Sequence, residues 1–326
     1  MKTIRWGILS TGSIAHKFAK GLGDLPDTEL LAVGSRSQAS ANAFGDEFGI
    51  ERRYSSYVEL AADPDLDVVY VGTPHTLHCE NTLMLLEAGK AVLCEKPFAL
   101  NVEQAKEMIE TAQRRKLFVM EAVWTRFLPH MLKARELIAE GALGELRLLQ
   151  ADFGFRMGVD PEHRLFDLAF GGGALLDVGI YPVSLAHELF GAPVEIKSFG
   201  NLGETGVDEE NAVVLKHENG ELSLLASSLR LDTSQEAMIT GTEGRLKLHG
   251  PWWAPTNLTL YKGEEAESIE VPCPLNGYNY EALEVNRCLR EGWLESETMS
   301  HGDTLAVLET LDTLRAQWGL HYPAEA

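Results

Sequence analysis

Three stretches of this chain combine residue types that can do chemistry with spacings that would let them. The first is Lys90-Ala91-Val92-Leu93-Cys94-Glu95-Lys96-Pro97-Phe98. An ammonium group beside a carboxylate can stabilise an alkoxide or assist a proton transfer. Ala91 to Cys94 reads as a short buried strand, and Pro97, which has no N–H to give, ends it. Glu95 and Lys96 then stand at the carboxyl end of a strand, where ligands bind in open α/β sheets. The same residues also describe a surface Glu-Lys pair closing a strand, so the reading depends on their surroundings. The second stretch is Gly171-Gly172-Gly173-Ala174-Leu175-Leu176-Asp177-Val178-Gly179-Ile180-Tyr181. Three glycines allow unusual backbone angles and close approach to a ligand. Asp177 and Tyr181, four apart, share one face of a helix. A carboxylate and a phenol beside a lysine from the other domain make a proton-transfer set, although an Asp–Tyr pair at this spacing also serves as a plain structural contact.

The third stretch is Ser10-Thr11-Gly12-Ser13-Ile14-Ala15. It is a G-x-G-x-x-A turn with serine in place of the first glycine. Gly12 lets the backbone approach a pyrophosphate, Ala15 lets a helix pack close to its strand, and the helix N-terminus offers free N–H groups. A plain strand-to-helix turn has the same pattern, but here a strand (Arg5 to Leu9) precedes it and a second strand (Leu30 to Gly34) follows. That second strand ends in Gly34-Ser35-Arg36-Ser37, with no Asp or Glu between Leu30 and Phe44. An acidic residue here would bind the bare ribose of NAD. Arg36, flanked by the hydroxyls of Ser35 and Ser37, suits a 2′-phosphate, so NADP is preferred to NAD. Further on, Asp67 to Gly72 reads as a strand that runs into Thr73-Pro74-His75-Thr76-Leu77-His78. This places Thr73, Pro74, His75 and His78 near the nicotinamide ribose, with Glu95 and Lys96 beside them. The histidines read equally as structural hydrogen-bonders.

The elements that must position these groups follow from periodicity. Up to about residue 122 strands and helices alternate, which describes a Rossmann-type, doubly wound parallel sheet. Beyond it, strands are separated by turn signals such as Asn219-Gly220 and Gly241-Thr242-Glu243-Gly244, which describes a large, mostly antiparallel open sheet with helices. The expected organisation is thus an NAD(P)-binding domain over 1–122 and an α+β substrate-binding and dimerisation domain over 123–326. The 326 residues carry a formal net charge of −21, which argues against nucleic acid and anionic membrane surfaces as partners. Four scattered cysteines without a C-x-x-C pair fit free thiols and a cytoplasmic location, and no metal site is expected. No stretch reads as a signal peptide or as a transmembrane span.

The Gly12 turn, Glu95-Lys96-Pro97, and the segment from Gly171 through Asp177 to Tyr181 together resemble the glucose–fructose oxidoreductase/inositol dehydrogenase/MocA family. Glu121-Ala122-Val123-Trp124-Thr125-Arg126-Phe127 and Trp318-Gly319-Leu320-His321-Tyr322-Pro323 are similar to its branch of dimeric dihydrodiol dehydrogenases and NADP-dependent D-xylose 1-dehydrogenases. The resemblance implies that Lys96 is the catalytic lysine, that Asp177 contacts substrate or the lysine, and that Tyr181 is the acid/base. Many family members carry histidine at the Tyr181 position, whereas this branch has tyrosine. The expected reaction is hydride transfer between the cofactor and a secondary alcohol or hemiacetal of a sugar or cyclic trans-diol. Alternatives are a keto-sugar reductase and a cofactor-binding regulator without activity, though a regulator should lack Lys96 or Tyr181. Trp124, Arg126, Phe153 and Phe155 are candidates for the substrate pocket and equally for core or interface. A homodimer or dimer of dimers, packed through the sheet of residues 145–262, is expected because a one-sided sheet leaves a broad face to bury.

Overall fold

The computed structural model describes residues 2–23 and 25–325. The chain opens with β1 (Ile4–Leu9), α1 (Ser13–Gly23), β2 (Thr28–Gly34), α2 (Gln38–Phe48), β3 (Arg52–Tyr54), α3 (Tyr57–Ala61), β4 (Val68–Val71), α4 (His78–Glu87), β5 (Ala91–Glu95), α5 (Val102–Arg115) and β6 (Val119–Ala122). It continues through α6 (Pro129–Ala139), β7 (Leu146–Gly154), α7 (Ile180–Phe190), β8 (Glu195–Leu202), β9 (Asp208–Lys216), β10 (Leu222–Ser228), β11 (Ala237–Gly241), β12 (Arg245–Leu248), β13 (Leu258–Lys262) and β14 (Glu265–Ile269). Two helices, α8 (Tyr278–Glu291) and α9 (His301–Trp318), follow.

Packing divides these elements into two units: Met1–Trp124 with Pro274–Thr304, and Thr125–Cys273 with Leu305–Ala326. The segment 274–304 therefore goes with the first unit, where a single boundary at 122/123 would have left it with the second. Hydrogen bonds explain why. Trp6 Nε1 donates to Asn286 Oδ1 (3.0 Å), and Asn286 Nδ2 donates to Thr28 Oγ1 (2.9 Å). Val119 N donates to Leu294 O (3.3 Å), so the loop after α8 is fastened to β6.

In the first unit six strands lie in the order β3-β2-β1-β4-β5-β6, all parallel, with the order reversing between β1 and β4. Strands β4, β5 and β6 are buried throughout, as a sheet covered on both faces requires. The stripe Ala15, Phe18, Ala19 and Leu22 seats α1 against the sheet, and the Phe18 ring stacks on Tyr70 at 3.8 Å. The crevice at the β1/β4 reversal is where ligands bind in sheets of this topology.

In the second unit eight strands lie in the order β14-β13-β12-β11-β7-β10-β9-β8. All pairs are antiparallel except β7 with β10. One face alternates inward, with Leu149, Val213, Leu215, Leu225, Ile239 and Leu246 buried. Helix α7 packs on β7 and β10 on that side. The opposite face exposes Phe199 (84%), Val214, Leu222 and Leu224, with Leu224 paired to Val214 across the strands. The stretch Leu168–Phe190 is long and apolar enough to cross a bilayer, which the sequence reading did not pick out; 83% of its most apolar window is buried inside the protein, as a core helix would be.

Candidate active site

The candidate phosphate-binding turn, Ser10 to Ala15, follows β1. Ser10 N donates to Gly34 O (3.0 Å), which ties the end of β1 to the end of β2. Ser10 holds a φ of 123°, a conformation normally left to glycine, and it stands where the motif's first glycine is missing. Its hydroxyl accepts from Gly12 N (3.2 Å), which offsets part of that strain. A Cβ on Gly12 would meet nothing closer than Ser10 Oγ at 3.5 Å, so the backbone lies open to a ligand there. Ser13 starts α1, and Ser13 and Gly12 are exposed. At the end of β2, Thr11 Oγ1 and Ser35 Oγ lie 3.3 Å apart. Ser37 is spent as the N-cap of α2, accepting from Ser40 N (3.3 Å). Arg36 is exposed, and its guanidinium faces the half-buried Tyr57 phenol; burial raises the Tyr57 pKa while Arg36 opposes the rise. These residues fit a dinucleotide: a helix N-terminus, an open glycine, two hydroxyls, and a cation in place of an acid.

Lys96 is partly exposed and follows β5 directly. The turn that carries it is braced from several strands. Tyr70 on β4 donates its hydroxyl to Glu95, and Glu95 Oε2 accepts from Lys96 N (3.3 Å). Glu121 on β6 accepts from Phe98 N (2.9 Å). His78, the first residue of α4, is fully buried with one ring nitrogen 2.8 Å from Pro97 O and the other 2.8 Å from Thr73 O. Both nitrogens are thus engaged by backbone, and burial lowers its pKa against the pull of those carbonyls. His78 is a brace between the ends of β4 and β5 and has no nitrogen left over for a substrate proton. Thr73 is further fixed by Asn81 Nδ2, which donates to its hydroxyl (3.2 Å). His75 opens the short 3-10 turn after Pro74, 93% buried, with its ring 5.8 Å from that of His78.

In the second unit the glycine stretch leads into a π-helical turn, Leu175–Gly179, that runs straight into α7. Such turns recur at functional sites, where they re-aim side chains. Asp177 lies in the π turn and Tyr181 in the first turn of α7. Asp177 Oδ1 accepts from Arg164 Nη1 at 3.0 Å, and the Arg164 side chain is half exposed. Tyr181 is 92% buried, with the Phe153 ring at 5.5 Å and the Trp253 ring at 6.0 Å. Phe153 stacks on Trp253 at 4.3 Å, and Phe155 lies 6.5 Å from Phe153. Phe153, Phe155 and Tyr181 are therefore brought together as expected. Trp253 and Arg164 join them; the sequence reading missed both.

The other two candidates, read equally as pocket or core, are both buried. Arg126 is 97% buried, its Nε donating to Ser184 Oγ (3.1 Å) and its Nη2 to Ser184 O (3.3 Å), so it fastens the loop before α6 to α7. Trp124 belongs to the first unit and stacks flat on Tyr278 at 4.3 Å, 95% buried. No group of metal-ligating side chains occurs among the described residues.

Comparison with known proteins agrees with this architecture. Residues 4–123 match an oxidoreductase family with an NAD-binding Rossmann fold, and residues 131–247 match the GFO/IDH/MocA C-terminal domain. Over 99% of both chains, the protein is 40% identical to trans-1,2-dihydrobenzene-1,2-diol dehydrogenase of Danio rerio and 38% identical to that of Homo sapiens. Among solved structures it is similar to KijD10, a 3-ketoreductase from Actinomadura kijaniata in complex with NADP and TDP-benzene. The TM-score is 0.88 and the identity 26%, covering 97% of this chain and 98% of that one. It is also similar to an aldose-aldose oxidoreductase from Caulobacter crescentus complexed with glycerol, with a TM-score of 0.89 and 25% identity over 97% of each chain. A dinucleotide-binding sheet, a braced Glu-Lys-Pro turn and a Gly-Gly-Gly-led Asp/Tyr helix, matched along almost the whole length, make this chain an oxidoreductase of the glucose–fructose oxidoreductase/inositol dehydrogenase/MocA family.

Proposed function

We propose that the protein is an NADP-dependent dehydrogenase of a secondary alcohol or hemiacetal carbon in a sugar or cyclic trans-diol. The observation that carries this reading is the setting of Tyr181, a nearly buried phenol among Phe153 and Trp253 with Asp177 four residues earlier. Aromatic faces suit the C–H faces of a sugar or a cyclic diol. When bound, the nicotinamide takes or returns the hydride. Tyr181 takes the hydroxyl proton, and Lys96 is the catalytic lysine that the cofactor-binding unit contributes. Asp177, held by Arg164, orients the substrate hydroxyls.

Arg36 supports NADP over NAD: it is exposed at the end of β2, beside the Ser35 hydroxyl, with no acidic residue from Leu30 to Phe44. The dihydrodiol dehydrogenases among its relatives favour a trans-diol substrate, and the aldose-aldose oxidoreductase neighbour favours a sugar. The ketoreductase neighbour favours the reverse direction, reduction of a keto group, as a second reading. The uncovered sheet face with Phe199, Val214, Leu222 and Leu224 supports a homodimer through β8, β9 and β10. Four free cysteines, two of them buried, are consistent with the cytoplasm.

The test is a matrix of both cofactors against aldoses and trans-diols, followed by absorbance of the reduced nicotinamide. Reduction of NADP by at least one substrate, with NAD much poorer, is the expected result. Tight NADP binding with no turnover on any substrate in either direction would instead describe a regulator that has kept the fold.

A further inference from the structure

Asp208, the first residue of β9, is wholly buried. Its Oδ2 accepts from Leu175 N (2.8 Å) and from Asn211 Nδ2 (3.0 Å). Leu175 opens the π turn that carries Asp177, so a carboxylate from a neighbouring strand caps the helix that carries Tyr181. The other oxygen, Oδ1, is buried without a hydrogen-bond partner. It lies where a Cβ on Gly173 (φ 118°) would fall, only 2.2 Å away, so the third glycine makes room for this carboxyl. The same network reaches the far end of the turn. Ser227 Oγ donates to Asn211 Oδ1 (3.0 Å), and a Cβ on Gly179 would come within 2.8 Å of that Ser227 oxygen. The π turn is therefore bonded to Asp208 at its start and lies close against the Asn211–Ser227 pair at its end.

We propose that Asp208 is a positioning residue for Asp177 and Tyr181, and that gain or loss of its proton changes how the turn carrying them is set. The ionised carboxyl grips Leu175 N with a charge-assisted bond at the positive end of a helix. The neutral acid loses that charge and with it the charge-assisted part of its hold on Leu175 N. Burial pushes the Asp208 pKa up to about 7, opposed by the Leu175 and Asn211 donors and by Arg315. The ionisable groups facing it from other elements are Arg315 of α9 and the Tyr322 phenol. Arg315 is itself engaged by Asp312 and Glu325, and Tyr322 donates to Gly172 O (2.9 Å). The two forms of Asp208 therefore coexist near neutral pH. The effect on turnover rests on the reading of Tyr181 as the proton acceptor; the effect on the helix does not.

The experiment follows the ring carbon resonance of Tyr181, assigned with Tyr181→Phe, across a pH series in the full-length protein. The wild type should show a step with a midpoint near pH 7. Asp208→Asn, which copies the neutral acid in shape, should abolish it. Asn211→Ala removes one donor to the charged form and should move the step upward by about one pH unit. The kcat profile should rise across the same interval in the wild type, and Asp208→Asn should lose that rise with KM little changed. A step that survives unchanged in Asp208→Asn, or a wild type without one, overturns the proposal. A step lost in Asp208→Asn while the kcat profile stays as in the wild type upholds the device and sinks the reading of Tyr181.

Discussion

Replacing Asp208 with asparagine should flatten part of the pH dependence of stability. In the unfolded chain the carboxyl titrates at about 3.8, and in the fold burial raises it to about 7. The folded protein then binds a proton that the unfolded chain has released, so the raised group contributes stability that is fully present below about pH 3.8. That contribution fades as the pH climbs and is gone above about pH 7. A separation of about 3 pH units at 1.36 kcal/mol each sets its size at up to about 4 kcal/mol. At about 2–4 °C per kcal/mol in a unit of this size, the midpoint changes by on the order of 10 °C. Asparagine carries no titration, so the wild-type Tm minus the Asp208→Asn Tm should fall by that amount from about pH 4 to about pH 7.5. All other groups are common to both proteins and cancel. Thermal unfolding followed by circular dichroism in a buffer series reads this difference. A constant difference across the range would show that Asp208 is ionised throughout, and the argument from burial would fail.

Arg36→Ala should weaken NADP binding by about 10- to 150-fold, from a lost charge-assisted bond of roughly 1.5–3 kcal/mol, while NAD binding barely changes. Paired fluorescence titrations with the two cofactors check it, and equal losses would mean that Arg36 shapes the turn without reading the phosphate. Leu224→Glu places a charge in the centre of the uncovered sheet face, and sedimentation should show a dimer for the wild type and monomers for the variant. A wild type that is already monomeric at micromolar concentration would contradict the proposed assembly.

The parallel sheet was legible because its strands are uniformly apolar and separated by amphipathic stretches such as Ala15, Phe18, Ala19 and Leu22. The strand β14 was not, since Glu265-Ala266-Glu267-Ser268-Ile269 lies at a sheet edge and carries almost no apolar pattern. The return of 274–304 to the first unit depends on distant pairings such as Trp6 with Asn286, which no local pattern encodes. Among candidate site residues, the order of types made Lys96, Asp177 and Tyr181 visible. Trp253 hid in a loop between prolines, yet an aromatic pair at Trp252-Trp253 next to Pro251 was a signal available to find it. Asp208 looked like one acid among Asp208-Glu209-Glu210, and only the fold, which sets it against Leu175 N, makes it the buried one. Arg126 was legible only as a cation beside an aromatic run, fitting pocket and core alike, and its bonds to Ser184 depend on a distant helix.

The central claim is that Lys96 and Tyr181 carry the chemistry while His78 only braces the turn. Single-turnover reduction of NADP by the best substrate, at saturating concentrations of both, tests it most directly. Lys96→Ala and Tyr181→Phe should each slow the step by at least about 100-fold, the scale of a lost proton-transfer or electrostatic group. Near-normal rates in folded Lys96→Ala and Tyr181→Phe proteins, with His78→Gln abolishing the step and still binding cofactor, would contradict the account.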